Sequence, residues 1–298
     1  MVESNIDKPI FIIGMPRSGT TLLYGLLAQH EDLAWFSKKT FLDILSPEFK
    51  NFFYIRRRIF EMRGFPYPRM AFDYAMFNSN NPPVEMGFAY TQAFPGNWDE
   101  KIAETKLEIL KTMITETIRK DTRKRFLSKT PFNSIRIGVL KKAFPDCKFI
   151  HIVRNPVAVV NSLLKRSVEN PSGYIGIPLK SGNYENLTSL QKHALQWKQV
   201  IEDIMETKKE AGSDFFQVKY EDLVSLPEKY LDEITDFCEL PSFDYVFIKN
   251  GEFHNEKKKD LLVKRSLPIQ SIENKNKVYG NEEEILETVS PTHKIFGY

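Results

Sequence analysis

The sequence predicts an α/β fold built on parallel strands, and three observations carry that prediction. Ile10–Ile13 is a short, wholly apolar run, as a strand buried on both faces requires. Lys148 to Val153 (KFIHIV) is a second run of this kind. Each run passes through a short turn into a helix: Gly14 to Thr21 leads into TTLLYGLLAQ, and Arg154-Asn155-Pro156 leads into VAVVNSLLKR. Both units therefore carry their turn residues at the carboxyl end of a strand, where open α/β sheets bind ligands.

The first turn, GMPRSGTT, follows the phosphate-loop spacing G-x-x-x-x-G-K-[ST] through Gly14, Gly19 and Thr21, with Thr20 where that pattern has its lysine. The N–H groups of such a loop and the positive end of the helix behind it favour an anion. The missing lysine normally bridges β- and γ-phosphates, so Thr20 points to a nucleotide without a γ-phosphate. Arg17, inside the loop, offers a planar fork to an oxyanion. The alternative is an ordinary βα turn with glycines at positive φ.

The first helix runs from Thr20 to about Gln29. A polar break, His30-Glu31-Asp32, precedes Leu33-Ala34-Trp35-Phe36. Residues 41–98 hold 15 of the 38 aromatic side chains and show no strand alternation. They are expected to form short helices and loops inserted between the first and second strands. This insertion reads either as a cap with its own aromatic core or as part of an acceptor pocket.

From Asp99 the apolar residues Ile102, Leu107, Leu110, Met113, Ile114 and Ile118 recur at helical spacing. Arg125 to Ser128 is the expected second strand, ending at Lys129-Thr130-Pro131. Asn133 is expected to cap the next helix, which stops near Phe144-Pro145. After KFIHIV, Asn155 caps and Pro156 opens the following helix. Glu169 to Asn186 reads as a loop, Leu187 to Lys209 as a long helix, Phe215 to Val218 as a strand and Pro227 to Cys238 as a helix. From Pro241 the chain reads as an irregular tail, with a short helix over Asn281 to Val289.

Composition narrows the function classes. A net charge of +3 over 298 residues is too small to argue for nucleic acid, and Lys257-Lys258-Lys259 reads as solvated charge. Cys147 and Cys238 sit in apolar settings and read as reduced core thiols. The amino-terminal stretch lacks a basic flank and apolar run, and no stretch has the roughly 18 apolar residues of a membrane span. These features predict one cytoplasmic domain over 1–298, with an insertion at about 41–98 and a tail at about 241–298.

The second constellation is Arg154 with Ser162, eight residues on. In nucleoside triphosphatases a strand such as KFIHIV ends in the Asp that organises Mg²⁺. Here it ends in Arg154, so the position suits an anion and no metal site is expected. Pro16, Arg17, Ser18, Gly19, Thr20 and Thr21 resemble the 5′-phosphosulfate loop of sulfotransferases, which use 3′-phosphoadenosine-5′-phosphosulfate. The Arg154–Ser162 spacing resembles their clamp on the 3′-phosphate. FLSKTPFNSIRIGVLKKAFPDCKFIHIVRNPVAVVNSLLKR and VKYEDLVSLPEKYLDEITDFCEL are similar to the bacterial and tyrosylprotein-sulfotransferase-like branch, as is the tail NKNKVYGN…FGY. The resemblance covers most of the chain outside the insertion.

That resemblance implies a P-loop-like parallel sheet with helices on both faces, and transfer of a sulfuryl group to a hydroxyl or amine of a small-molecule or lipid-like acceptor. It also implies roles residue by residue. Arg166 would extend the clamp, Tyr220 would lie near the adenine or ribose, and Lys275 or Lys277 would cover the 3′-phosphate. Arg17 and Lys129 would stabilise charge on the departing phosphate. The sequence departs from the tyrosylprotein branch after the first helix: Ser37-Lys38-Lys39-Thr40 stands where those enzymes carry a Glu. Glu85, in NPPVEMGF, resembles a Pro-x-Glu element of bacterial members and is the candidate base, with His193 next. His30 and His151 read as structural. The competing readings are a P-loop-type kinase, disfavoured by Thr20 and Arg154, and a non-catalytic nucleotide-binding protein.

Overall fold

The structure is a computed structural model; it describes residues 6–36, 104–169, 177–249, 252–254, 268–269 and 280–298. The expected insertion at 41–98, with Glu85, lies outside the described residues, as do Lys275 and Lys277.

Five parallel strands form the main sheet: β1 (Ile10–Ile13), β2 (Leu33–Ala34), β3 (Arg125–Lys129), β4 (Lys148–Val153) and β5 (Phe215–Lys219). They lie in the order β2-β3-β1-β4-β5. The expected α/β fold is therefore present, with one strand more than the sequence suggested. Leu33–Ala34 is too short to announce itself by pattern; it pairs with Arg125 and Phe126 at one edge.

Side-chain alternation explains why β1 and β4 are apolar throughout. Phe11 and Ile13, with Phe149 and Val153, face one core; Ile10 and Ile12, with Ile150 and Ile152, face the other. The first core is closed by α2 (Glu104–Asp121), α3 (Ile137–Ala143), α4 (Pro156–Glu169) and α5 (Ser189–Ala211). Trp197 of α5 is wholly buried there. The second core is closed by α1 (Thr20–Leu27), α6 (Tyr220–Ser225) and α7 (Pro227–Phe237). Leu107, Leu110, Met113, Ile114 and Ile118 of α2 all pack on the first core, as their spacing predicts.

Two sequence expectations change. Asn133 does not cap a helix. After β3 the chain takes a 3₁₀ turn over Pro131–Ile135 with Pro131 in its first turn, and α3 begins only at Ile137. The reason is Ser134, whose hydroxyl accepts the Gly14 N–H at 2.8 Å and donates to the Gly14 carbonyl at 3.0 Å. The tight turn presents Ser134 to β1, which a helix begun at Asn133 would not do. The region after Pro241 is not wholly irregular either: β6 (Phe247–Lys249), β7 (Glu252–His254) and β8 (Pro268–Ile269) form a small second sheet, and α8 (Glu282–Val289) follows where a short helix was expected.

Charged groups gather at the amino end of β4. Lys148 lies 2.9 Å from Glu239 and 3.0 Å from Asp214, Lys141 reaches Asp214 at 2.5 Å, and Lys8 also pairs with Glu239. Hydrogen bonds from Lys8 and then Lys148 hold the Glu239 carboxyl down at about 2. Burial opposes ionisation of Asp214, but hydrogen bonds from Lys141 and Lys148 outweigh it and lower its pKa. Depressed carboxyl pKa values stabilise the fold above the ordinary carboxylate range, and that contribution disappears as the pH falls through the folded values. Solvent screening keeps such pairs to about 0–1 kcal/mol each. The double variant Asp214→Asn/Glu239→Gln should therefore melt about 1–4 °C below wild type at pH 7. The gap should shrink as the pH falls below the ordinary carboxylate range and close only below about pH 2, where Glu239 takes up its proton; a gap of constant size in thermal-shift scans would refute the ionic origin.

Both cysteines are free and buried, and burial pushes each thiol up to about 12. They are packing groups, as expected from their apolar settings.

Candidate active site

The strand order puts the carboxyl ends of β3, β1 and β4 side by side, with neighbouring strands about 4.8 Å apart. Ile12 is in register with Lys129 on one side and Ile150 on the other. Lys129, the loop at Gly14 to Gly19 and Arg154 thus leave the sheet at adjoining positions, although they are far apart in sequence.

The loop is built for close approach. Gly14 has φ +150°, and a Cβ there would lie 2.4 Å from the Ile152 carbonyl oxygen. Gly19 has φ +94°, and its Cβ would lie 2.3 Å from Cδ2 of Tyr220. Arg17 adopts φ +74°, a left-handed conformation that costs a non-glycine residue about 1–3 kcal/mol and persists at functional sites.

The helix behind the loop is open to an anion. Gly19 is the N-cap of α1 and supplies no side-chain cap, and no acidic residue sits in the first turn. Side chains cap three other helices, whereas α3, α6 and α7 share the bare N-terminus of α1: Asn155 accepts the Val157 and Ala158 amides of α4, Thr188 caps α5 and Asn281 caps α8. Within the loop, the Ser18 hydroxyl is fully buried and has no hydrogen-bond partner among the described residues. Uncapped amides and an orphaned hydroxyl fit an incoming oxyanion.

Arg17, Arg154 and Ser162 form one hydrogen-bonded set. Arg17 Nε donates to Ser162 Oγ at 2.9 Å, and Arg154 Nη1 donates to the Arg17 carbonyl at 3.1 Å. The Arg154 guanidinium lies over the Tyr220 ring, 4.3 Å from its centroid. Tyr220, expected near adenine or ribose, therefore supports Arg154 from below and packs on Gly19. Arg166 lies one turn beyond Ser162 on α4 and is half-buried. Of the remaining loop residues, Pro16 and Thr20 are buried and Thr21 is exposed.

Lys129 is only 4% exposed, and its ammonium donates to Thr21 Oγ1 at 3.1 Å. A buried lysine requires such partners, and this one brings the ammonium to the first turn of α1. His193, in contrast, pairs with Ser167 at 3.2 Å. Ser167 is five residues past Ser162 on α4, about 7.5 Å farther along the helix axis. Burial lowers the His193 pKa. Among the described residues no group of three His, Cys, Asp or Glu is arranged for a metal, and no helix is long and apolar enough to cross a membrane.

The sequence reading missed Ser134, Glu221 and Tyr298. Ser134 is a single hydroxyl in a predicted helix and carries no pattern. Glu221 was visible only as part of the polar KYED segment that follows β5. Replacing Gly19 by alanine tests the packing seen here: the new methyl would drive Tyr220 from beneath Arg154 and strain the backbone by about 1–2 kcal/mol. The expected result is a melting temperature lowered by a few degrees and nucleotide affinity lowered at least tenfold by calorimetry. Wild-type affinity would contradict the close packing.

Comparison with known proteins comes from three directions. A family model described as the sulfotransferase family matches residues 9–245. A putative protein-tyrosine sulfotransferase of Caenorhabditis briggsae is 24% identical over 239 residues, which cover 80% of this chain and 67% of the relative. Omega-hydroxy-beta-dihydromenaquinone-9 sulfotransferase Stf3 of Mycobacterium tuberculosis is 27% identical over 273 residues, covering 80% of this chain and 64% of the relative. The chain thus spans about two thirds of the length of these relatives. Among solved structures, sulfotransferase STF1 of Mycobacterium tuberculosis superposes with a TM-score of 0.56 at 14% identity, covering 97% of this chain and 78% of that one. Sulfotransferase STF9 of Mycobacterium avium gives 0.53 at 18% identity, covering 79% and 64%. At these identities the likeness shows the shared fold.

Proposed function

Since the chain belongs to the sulfotransferase family, we propose that it transfers a sulfuryl group from 3′-phosphoadenosine-5′-phosphosulfate to a hydroxyl group of its acceptor. The observation that carries this reading is the joining of Arg17, Arg154 and Ser162 at the mouth of an uncapped helix. Two guanidinium groups in one hydrogen-bonded set repel each other, and an oxyanion between them offsets that repulsion.

The bound cofactor supplies a sulfuryl group already activated on a phosphate that can leave. The residues of this chain do the rest. The amides of Gly19, Thr20 and Thr21, with the Ser18 hydroxyl and Arg17, hold the 5′-phosphate side. Arg154 and Ser162, with Arg166 on the next turn of α4, hold the 3′-phosphate. Lys129 offers a positive charge beside Thr21 to the phosphate oxygen on which charge builds. Glu85 takes the proton of the acceptor hydroxyl.

Lys275 and Lys277 are assigned to the 3′-phosphate by the same reading. Gly280 supports it: its N–H donates to Asn161 Oδ1 at 2.9 Å, next to Ser162. Lys277 is three residues before Gly280 in the sequence.

The relatives named above act on Omega-hydroxy-beta-dihydromenaquinone-9 and on protein tyrosine, both of which present a hydroxyl. This supports an oxygen acceptor here, and the aromatic content of 41–98 favours a hydrophobic one. Cytoplasmic location belongs to the same proposal.

Titration calorimetry tests the nucleotide reading. Adenosine-3′,5′-bisphosphate should bind at least 30-fold more tightly than AMP, because Arg154 and Ser162 contact only the phosphate that AMP lacks. Equal affinities would remove the clamp assignment. Turnover should persist in EDTA, since Thr20 and Arg154 replace the lysine and aspartate that a Mg²⁺-nucleotide site uses; strict recovery by Mg²⁺ would favour the kinase alternative.

A further inference from the structure

The turn that carries Arg154 is held from outside the nucleotide site. Glu221, in the first turn of α6, accepts the Asn155 backbone N–H at 3.1 Å through Oε1. Its other oxygen, Oε2, accepts the Tyr298 hydroxyl at 2.7 Å. Asn155 is the residue after Arg154 and the N-cap of α4, so its N–H is fixed by Glu221 while its side chain fixes the helix start. The carboxylate also sits at the positive end of the α4 dipole.

Tyr298 is itself located by tertiary contacts. The Thr292 hydroxyl donates to Glu202 at 2.6 Å and the Lys198 ammonium donates to the Ser290 carbonyl at 2.7 Å, which pins this segment to α5. Gly297, at φ +68°, then turns the chain so that Tyr298 meets β5. The Lys219 ammonium lies 5.0 Å from the centre of the Tyr298 ring. Burial first, and then the bond to Glu221, push the phenol above its usual pKa, so it stays a donor.

We infer that Glu221 and Tyr298 are positioning residues that lock the β4–α4 turn and hold Arg154 on the Tyr220 ring, and so set selectivity for a 3′-phosphorylated nucleotide. Neither residue needs to touch the nucleotide. Tyr220 and Glu221 act on neighbouring groups: one supports the Arg154 guanidinium and the other ties down the next amide. Loss of the tie reaches the loop at Gly14 to Gly19 only through the bond from Arg154 to the Arg17 carbonyl, and leaves the loop glycines and the Ser18 hydroxyl in place, so recognition of the 5′-phosphate should largely survive. The inference rests on the nucleotide reading above for its affinity effect, but not for its effect on the turn.

Three variants test it: Tyr298→Phe, which removes one hydroxyl and keeps the ring over Lys219; Glu221→Ala, which removes both acceptors; and Glu221→Gln, which keeps the shape and an acceptor for Asn155. Amide hydrogen exchange of the ligand-free proteins is read over residues 150–160, and calorimetry gives affinities for adenosine-3′,5′-bisphosphate and AMP. Exchange in that segment should rise at least threefold in Tyr298→Phe and more in Glu221→Ala. Bisphosphate affinity should fall about 3–10-fold and 10–50-fold respectively, AMP affinity should stay within twofold, and Glu221→Gln should recover most of the loss. Unchanged exchange in both Tyr298→Phe and Glu221→Ala overturns the lock. Equal losses for the two nucleotides overturn its role in selectivity. Should wild type itself not distinguish the nucleotides, the nucleotide reading fails, and the exchange data still judge the lock.

Discussion

Glu85→Gln is expected to lower kcat by about 10²–10⁴, the usual worth of a positioned general base. The amide keeps the shape of the side chain but cannot accept the acceptor's proton. The acidic limb of the pH–rate profile should vanish in the variant, since that limb reports protonation of the base. Binding of adenosine-3′,5′-bisphosphate should be unchanged, because Glu85 belongs to neither phosphate clamp. Near-normal turnover with the acidic limb retained would remove Glu85 from the mechanism. His193 would then be the next residue to test, although its pairing with Ser167 sets it farther along α4.

Replacement of Lys129 should cost about 10²–10³ in kcat, as removal of one charge-stabilising donor does elsewhere. In the proposed role the ammonium would act on charge that appears only as the phosphate departs, so its loss should lower kcat and kcat/KM together and leave bisphosphate affinity within about threefold. Lys129 is buried against Thr21, so truncation to alanine also opens a cavity. Lys129→Met, of similar length and without charge, separates the two effects. It should melt near the wild-type temperature and show the same loss of rate. Full activity in Lys129→Met would assign the lysine to packing alone.

The elements legible in the sequence were those whose neighbours along the chain suffice to define them. Ile10–Ile13 and Lys148–Val153 are apolar on both faces because helices cover both faces, and that burial is written into every residue of the run. The periodicity of α2 and the Asn155-Pro156 start of α4 are equally local. The loop at Gly14 to Thr21 was legible for a related reason: its tight turn needs glycines at fixed offsets, and both glycines do adopt positive φ.

Elements that depend on distant partners were not legible. Leu33–Ala34 is a strand only because Arg125 and Phe126 lie beside it. Asn133 carries the features of a helix cap, yet the bonds between Ser134 and Gly14, 120 residues away, impose a 3₁₀ turn instead.

The sequence by itself determined the α/β class and the glycine-bounded loop and singled out Arg17, Lys129, Arg154 and Ser162 as candidates, since strand burial, turn chemistry and charge type are properties of short segments. Only the tertiary structure decided how those residues meet. The strand order brought the ends of β3, β1 and β4 together, turned Tyr220 beneath Arg154 and carried Tyr298 to Glu221. Hydrogen bonds and ring contacts act over about 3 to 5 Å, whatever the number of residues between the partners, so no local pattern records them.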